Sequence, residues 1–159
     1  MPESTPAAQP KIKKARKDSF KGFEYPIRVQ PHHTDYGGVV WHGTYISWME
    51  SARVECLRAA GVPFERLISL GYDLPVVDLQ IRYHQPLTLG MAAIVKTRLA
   101  PIKGIRLNWL YEIETVEPSP RLCLSAQITL VTVDVAQRKI VRHLPREVKE
   151  ILARVTDHS

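Results

Sequence analysis

Between Gly43 and Ala60 the chain carries a helical period that is apolar on more than one side. Tyr45, Met49, Ala52 and Cys56 form one stripe, Ile46, Leu57 and Ala60 widen it, and Trp48 and Val54 extend it further. A helix lying on a surface needs a single apolar face, whereas one apolar over most of its circumference has to be enclosed. Gly61 supplies a stop signal and Pro63 prevents continuation. The helix is therefore expected at the centre of the fold, wrapped by the rest of the chain.

That remainder is written in strand periods. Tyr25, Ile27 and Val29 alternate with polar residues, and Pro26 favours an edge position for this first strand. After the helix, Val77, Leu79, Ile81 and Tyr83 oppose Asp78, Gln80, Arg82 and His84. Ile105, Leu107, Trp109, Tyr111 and Ile113 oppose Arg106, Asn108 and Glu112. Leu122, Leu124, Ala126, Ile128 and Leu130 oppose Ser125, Gln127 and Thr129. Shorter segments fall at 92–99 and 138–143. Turn signals at Leu89-Gly90, Lys103-Gly104, Pro118-Ser119-Pro120 and Ala136-Gln137 separate them. Connections this short predict antiparallel neighbours. Residues 64–71 read as one short extra turn, and Pro145 opens a terminal helix over 145–154. The expected class is α+β, one curled antiparallel sheet of about five to six strands wrapped around a long central helix.

Charge narrows the function. The 159 residues hold 22 Lys+Arg and 16 Asp+Glu, a formal +6, which invites a nucleic-acid reading. Half of that excess sits in residues 1–18, where Lys11, Lys13, Lys14, Arg16 and Lys17 face only Glu3 and Asp18. Those residues read as a disordered basic arm, and 19–159 as one domain. The near-balanced body shows no basic recognition helix, so no nucleic-acid partner is expected. No apolar run approaches the roughly 20 residues of a membrane span. Cys56 and Cys123 are too few for a disulfide framework or a four-ligand zinc site, and the expected setting is cytoplasmic. His32 and His33, if extended, point to opposite sides and do not share a metal. There is no phosphate-binding glycine loop and no Gly-x-Ser-x-Gly elbow, so no cofactor is expected.

The chemistry concentrates in His33-Thr34-Asp35-Tyr36-Gly37-Gly38-Val39-Val40-Trp41-His42-Gly43-Thr44-Tyr45. This is a turn with one carboxylate and two glycines that runs directly into the enclosed helix. Free N–H groups at a helix start polarise a carbonyl oxygen. A carboxylate beside such an end is the minimal equipment for acyl transfer. Taken alone, Asp35 reads first as a turn-capping aspartate, and Tyr36, Trp41 and Tyr45 as packing residues.

The segment Asp35–Arg53, DYGGVVWHGTYISWMESAR, closely resembles the signature of hotdog-fold acyl-CoA thioesterases of the 4-hydroxybenzoyl-CoA thioesterase and YbgC-like group. The likeness extends more weakly over 24–150, through the Leu-Pro-Val-Val approach within Gly71–Val77, the Ile-Lys-Gly turn at 102–104 and Leu-Pro at 144–145. It implies that Asp35 is the nucleophile or general base, that the amide of His42, with Gly43 as a second donor, polarises the thioester carbonyl, and that Tyr36, Trp41, Tyr45 and Glu50 contact substrate. It implies an acyl-CoA substrate, with an acyl-acyl-carrier-protein thioester or a non-catalytic binding module as alternatives. It also implies a homodimer or homotetramer with sites at the dimer interface. Glu50 also has Arg53 in reach for an i,i+3 ion pair. Arg82, Lys103, Arg106, Arg142 and Arg146 are the cations available for phosphates. The chain departs from some members of that group at His33, where they carry a second acidic residue before the aspartate.

Overall fold

The structure, a computed structural model, describes residues 20–116 and 118–158. The basic arm read at 1–18 lies outside the described residues. The chain opens with strand β1 (Phe23–Arg28), a one-turn 3-10 helix (Pro31–His33) and helix α1 (His42–Ala59). A short helix α2 (Phe64–Ser69) follows, then β2 (Tyr72–Asp73), β3 (Val76–Tyr83), β4 (Ala92–Leu99), β5 (Leu107–Thr115) and β6 (Leu122–Leu130). The chain ends with β7 (Val133–Asp134), β8 (Lys139–Ile140) and helix α3 (Arg146–His158).

Five strands make one antiparallel sheet in the order β1-β4-β5-β6-β3. Its register sets Val95 opposite Ile113 and Ile113 opposite Leu124, so apolar side chains from three strands line up on the face that meets α1. Met49, Ala52 and Cys56 of α1 are buried against this face, and Trp48 and Leu57 complete the enclosure. Trp109, at 0% exposure, is the largest side chain in the contact, and burying it contributes roughly 2–3 kcal/mol. β5 keeps strict alternation of buried and half-buried residues, as its sequence period requires. β1 is an edge strand, which accommodates Pro26.

Three expectations are revised. β3 and β4 are joined by a short connection yet are not neighbours, because β3 pairs with β6 at the far edge. β3 is also exposed on both faces, since α1 packs over β4 and β1 and leaves it uncovered. The 138–143 segment does not extend the main sheet, and β8 instead joins β2 and β7 in a second, three-stranded sheet. The terminal helix begins after Pro145 and buries Val148, Ile151, Leu152 and Val155, one apolar stripe at helical spacing.

Candidate active site

The segment entering α1 folds back on itself as a small hairpin. The Asp35 N–H donates to the Val39 carbonyl at 2.9 Å and the Trp41 N–H to the His33 carbonyl at 3.0 Å. Thr34 and Val40 bridge between these bonds. Gly38 takes φ +72°, a left-handed backbone that strains any side chain, and its N–H donates to the Asp35 carbonyl at 3.1 Å. The hairpin is anchored to the chain before β4, with the Val40 N–H donating to Leu87 at 2.9 Å and the Leu89 N–H to Gly38 at 3.1 Å.

Asp35 divides its two oxygens between two tasks. Oδ1 accepts the N–H of Gly37 at 2.9 Å and of Val39 at 3.3 Å, the turn bonds its residue type favours. Oδ2 accepts no hydrogen bond among the described residues, and the side chain is exposed. The carboxylate is thus oriented by one oxygen and left free at the other.

α1 starts at His42, one residue past the return limb of the hairpin. The Thr44 N–H turns back to the Trp41 carbonyl at 2.9 Å, whereas the amides of His42 and Gly43 meet no acceptor among the described residues. Two unsatisfied donors at the positive end of a helix present a site for a carbonyl oxygen that gains negative charge. The Trp41 indole lies over Gly43 so closely that a Cβ there would overlap the ring. Trp41 is half exposed and can move aside, so Gly43→Ala should fold normally. The displaced indole should lower kcat/KM about tenfold, with a change in Trp fluorescence marking the movement.

The His42 imidazole is exposed, tilted against the Trp41 ring at 4.7 Å. It lines a cavity of about 260 Å³ with Val40, Tyr45, Tyr83, His84 and Pro86. Tyr83 donates its hydroxyl to the His42 carbonyl at 3.1 Å and so ties the edge strand to the helix start. Tyr45 is buried, accepts the Leu87 N–H on its hydroxyl at 3.3 Å, and packs edge-to-face against Trp48 and Tyr83. Burial raises its phenol above the usual 10.0, so it stays protonated. Tyr36 is fully exposed at the hairpin tip. Glu50 stands two turns along α1, 69% exposed, with Arg53 at 4.0 Å, a loose pair rather than a buried one. It lines a different cavity with Arg53, Phe64, Leu74 and Val76.

One end of α1 therefore gathers Asp35, Trp41, His42 and Gly43 above Tyr45, while Tyr36 points outward and Glu50 sits apart. Tyr83 was not anticipated, because only the pairing of β3 with β6 carries it to the helix start. His32 and His33 correct another expectation: their rings lie 4.0 Å apart, because the chain there is a 3-10 turn and not extended. No group of three or more His, Cys, Asp or Glu able to hold a metal occurs among the described residues. Both cysteines are free and buried, and burial pushes the Cys56 thiol up to about 11, which leaves it unreactive.

A sheet wrapped on a central helix is the architecture of the hotdog fold. The sequence profile of the thioesterase-like superfamily matches residues 29–152. The Synechocystis protein sll0410 is 53% identical over 138 residues, covering 85% of this chain and 81% of its own. The acyl-CoA thioesterase YbgC of Haemophilus influenzae is 33% identical over 129 residues, covering 80% and 92%. The crystal structure of Slr0204, a 1,4-dihydroxy-2-naphthoyl-CoA thioesterase from Synechocystis, superposes with a TM-score of 0.73 at 25% identity, covering 82% and 95%. The chain belongs to the thioesterase-like superfamily; it has the hotdog fold and is a thioester hydrolase.

Proposed function

We propose that the protein hydrolyses acyl-CoA thioesters to a free acid and CoA, with Asp35 as the reacting carboxylate and the His42 and Gly43 amides as the carbonyl-polarising pair. The observation that carries this reading is the free Asp35 Oδ2 in a turn that ends at two unsatisfied helix-start donors. Oδ2 either attacks the thioester carbon, with the C–S bond breaking to a mixed anhydride that water then cleaves, or takes the proton of an attacking water. In both routes the carbonyl oxygen becomes an oxyanion aimed at the amides, and the thiolate leaves and is protonated.

Substrate chemistry fits a second feature. At the end of β4 remote from the hairpin, a cleft of about 800 Å³ is lined by Arg98, Arg142 and Lys149 and by no carboxylate. Three cations without an ion-pair partner among the described residues suit the phosphates of CoA. Of the other expected cations, Arg146 is engaged with Glu150 at 3.0 Å and Arg82 borders a different depression.

The site also calls for a second copy of the chain. β3 is an edge strand with Val76, Val77, Leu79 and Tyr83 all well exposed, a surface that an unpaired monomer has reason to cover. Antiparallel pairing of β3 with its own copy sets the Val76 end of one protomer against the Tyr83 end of the other. That brings the Glu50 cavity of the second copy to the His42 cavity of the first, and places Glu50 within a composite substrate site. The assembly is a homodimer, or a homotetramer of two such dimers.

Among the described residues no helix is long and apolar enough to cross a membrane, and the free thiols suit a cytoplasmic setting. The test is a panel of short-chain, long-chain and aryl CoA esters, with matched acyl-carrier-protein esters, read by free-thiol release. Turnover of CoA esters supports the proposal. Turnover confined to carrier esters replaces CoA with the carrier, and binding without thiol release leaves a non-catalytic module.

A further inference from the structure

Two residues before the carboxylate, His33 closes the 3-10 turn with its side chain. Its Nδ1 accepts the Gln30 N–H at 2.9 Å. Its carbonyl accepts both the Trp41 N–H at 3.0 Å and the Thr44 hydroxyl at 3.1 Å. One residue thus joins the end of the first strand, the return limb of the Asp35 hairpin and the first turn of α1. The ring is held edge-on by Trp48 of α1, with centroids 5.0 Å apart and planes at 79°. A ring nitrogen that accepts a hydrogen bond carries no proton, so this contact assigns His33 as neutral with its hydrogen on Nε2.

We propose that His33 is the positioning residue of the site: its neutral imidazole locks the stem that holds Asp35 beside the helix start, and protonation unlocks it. The inference rests on Asp35 being the reacting carboxylate. A protonated ring turns a donor toward the Gln30 N–H, so the bond is replaced by a repulsive contact. The stem then loses its side-chain closure, and the carbonyl that ties Trp41 and Thr44 loses its fixed orientation. Asp35 shifts relative to the His42 and Gly43 amides, and catalysis is sensitive to such displacements.

The surroundings favour the neutral ring. Burial, and secondarily the neighbouring His32, lower His33 from its ordinary 6.5. α1 presents the uncharged Trp48 and Thr44, and Asp35 directs its Oδ1 to the amides of Gly37 and Val39. The folded loop therefore binds fewer protons than the unlocked one. Its order is complete above the ordinary histidine value, and is lost as pH falls through that value and below.

The test combines a titration with three variants. In the wild-type protein, the Gln30 amide resonance is followed from about pH 8 to 5, together with kcat and KM for a turned-over thioester. His33→Asn keeps an acceptor at the δ position without titrating, and His33→Ala removes it. The Gln30 amide is expected to titrate with the acid limb of kcat. His33→Asn should retain neutral-pH kcat within about twofold and lose that limb, while His33→Ala should lose roughly tenfold in kcat with a smaller change in KM. A Gln30 amide that does not titrate, or an acid limb that persists in His33→Asn, overturns the proposal. Asp35→Asn, measured alongside, separates the two readings: if it is fully active, the assignment of Asp35 fails whatever the Gln30 amide does.

Discussion

Asp35→Asn should fold like the wild type and lose about 10³-fold in kcat on any thioester the protein turns over. The substitution is a clean probe because of how the two oxygens are used. A carboxamide oxygen at Oδ1 still accepts the Gly37 and Val39 N–H bonds, so the hairpin keeps its shape. What disappears is the charged, unpartnered Oδ2. Neither attack on the thioester carbon nor deprotonation of water survives that change, so the loss does not depend on which route operates. Binding should change far less, because the aromatic and cationic surfaces are untouched, and the deficit should fall on kcat rather than KM. Matching thermal unfolding of the two proteins would exclude a folding defect. Equal rates would remove Asp35 from the reaction and return it to the turn-capping role that its Oδ1 bonds already perform.

The second large effect is expected from Leu79→Arg. Leu79 lies near the middle of β3, 38% exposed, on the strand that the main sheet leaves open. If two copies pair along β3, the substitution sets two like charges near one another across the two-fold axis and blocks sheet continuation. Sedimentation should then show a shift from dimer or tetramer to monomer, and kcat/KM should fall by roughly 10²-fold or more, since half of each composite site is lost. The fold should persist, because Leu79 is peripheral to the core gathered around α1. A fully active monomer would show that one copy suffices and that Glu50, on the far cavity, takes no part in catalysis. An oligomer that survives the substitution would place the interface elsewhere.

How much of this was legible in advance depended on how local the controlling interaction is. The enclosure of α1 could be read from Tyr45, Met49, Ala52 and Cys56 with Trp48 on the flank, because a helix presents its side chains at a fixed angular period. The alternation of β5 survives intact because Leu107, Trp109, Tyr111 and Ile113 all face that helix. The hairpin was legible for a similar reason. Gly38 at a left-handed position, Asp35 accepting amides two and four residues on, and a helix starting at His42 are all contacts within a few residues.

The rest is settled over long sequence separations. Short turns argued that β3 and β4 should be neighbours, but β3 crosses to β6, and only that crossing brings Tyr83 to the His42 carbonyl, 41 residues away in sequence. The same crossing leaves β3 uncovered, although its sequence alternates as though one face were buried. The adjacent histidines are a local exception: the 3-10 turn brings their rings to 4.0 Å at a 50° tilt, because closure of the Gln30 N–H by His33, three residues on, wins over extension. The amino-acid sequence alone determined an enclosed helix, a wrapping antiparallel sheet and a carboxylate turn at the helix start, since periodicity and turn chemistry act between near neighbours. Only the tertiary structure decided which strand stands at the open edge and that Tyr83 meets the helix start, since those follow from how segments far apart in sequence compete for one another's hydrogen bonds and surface.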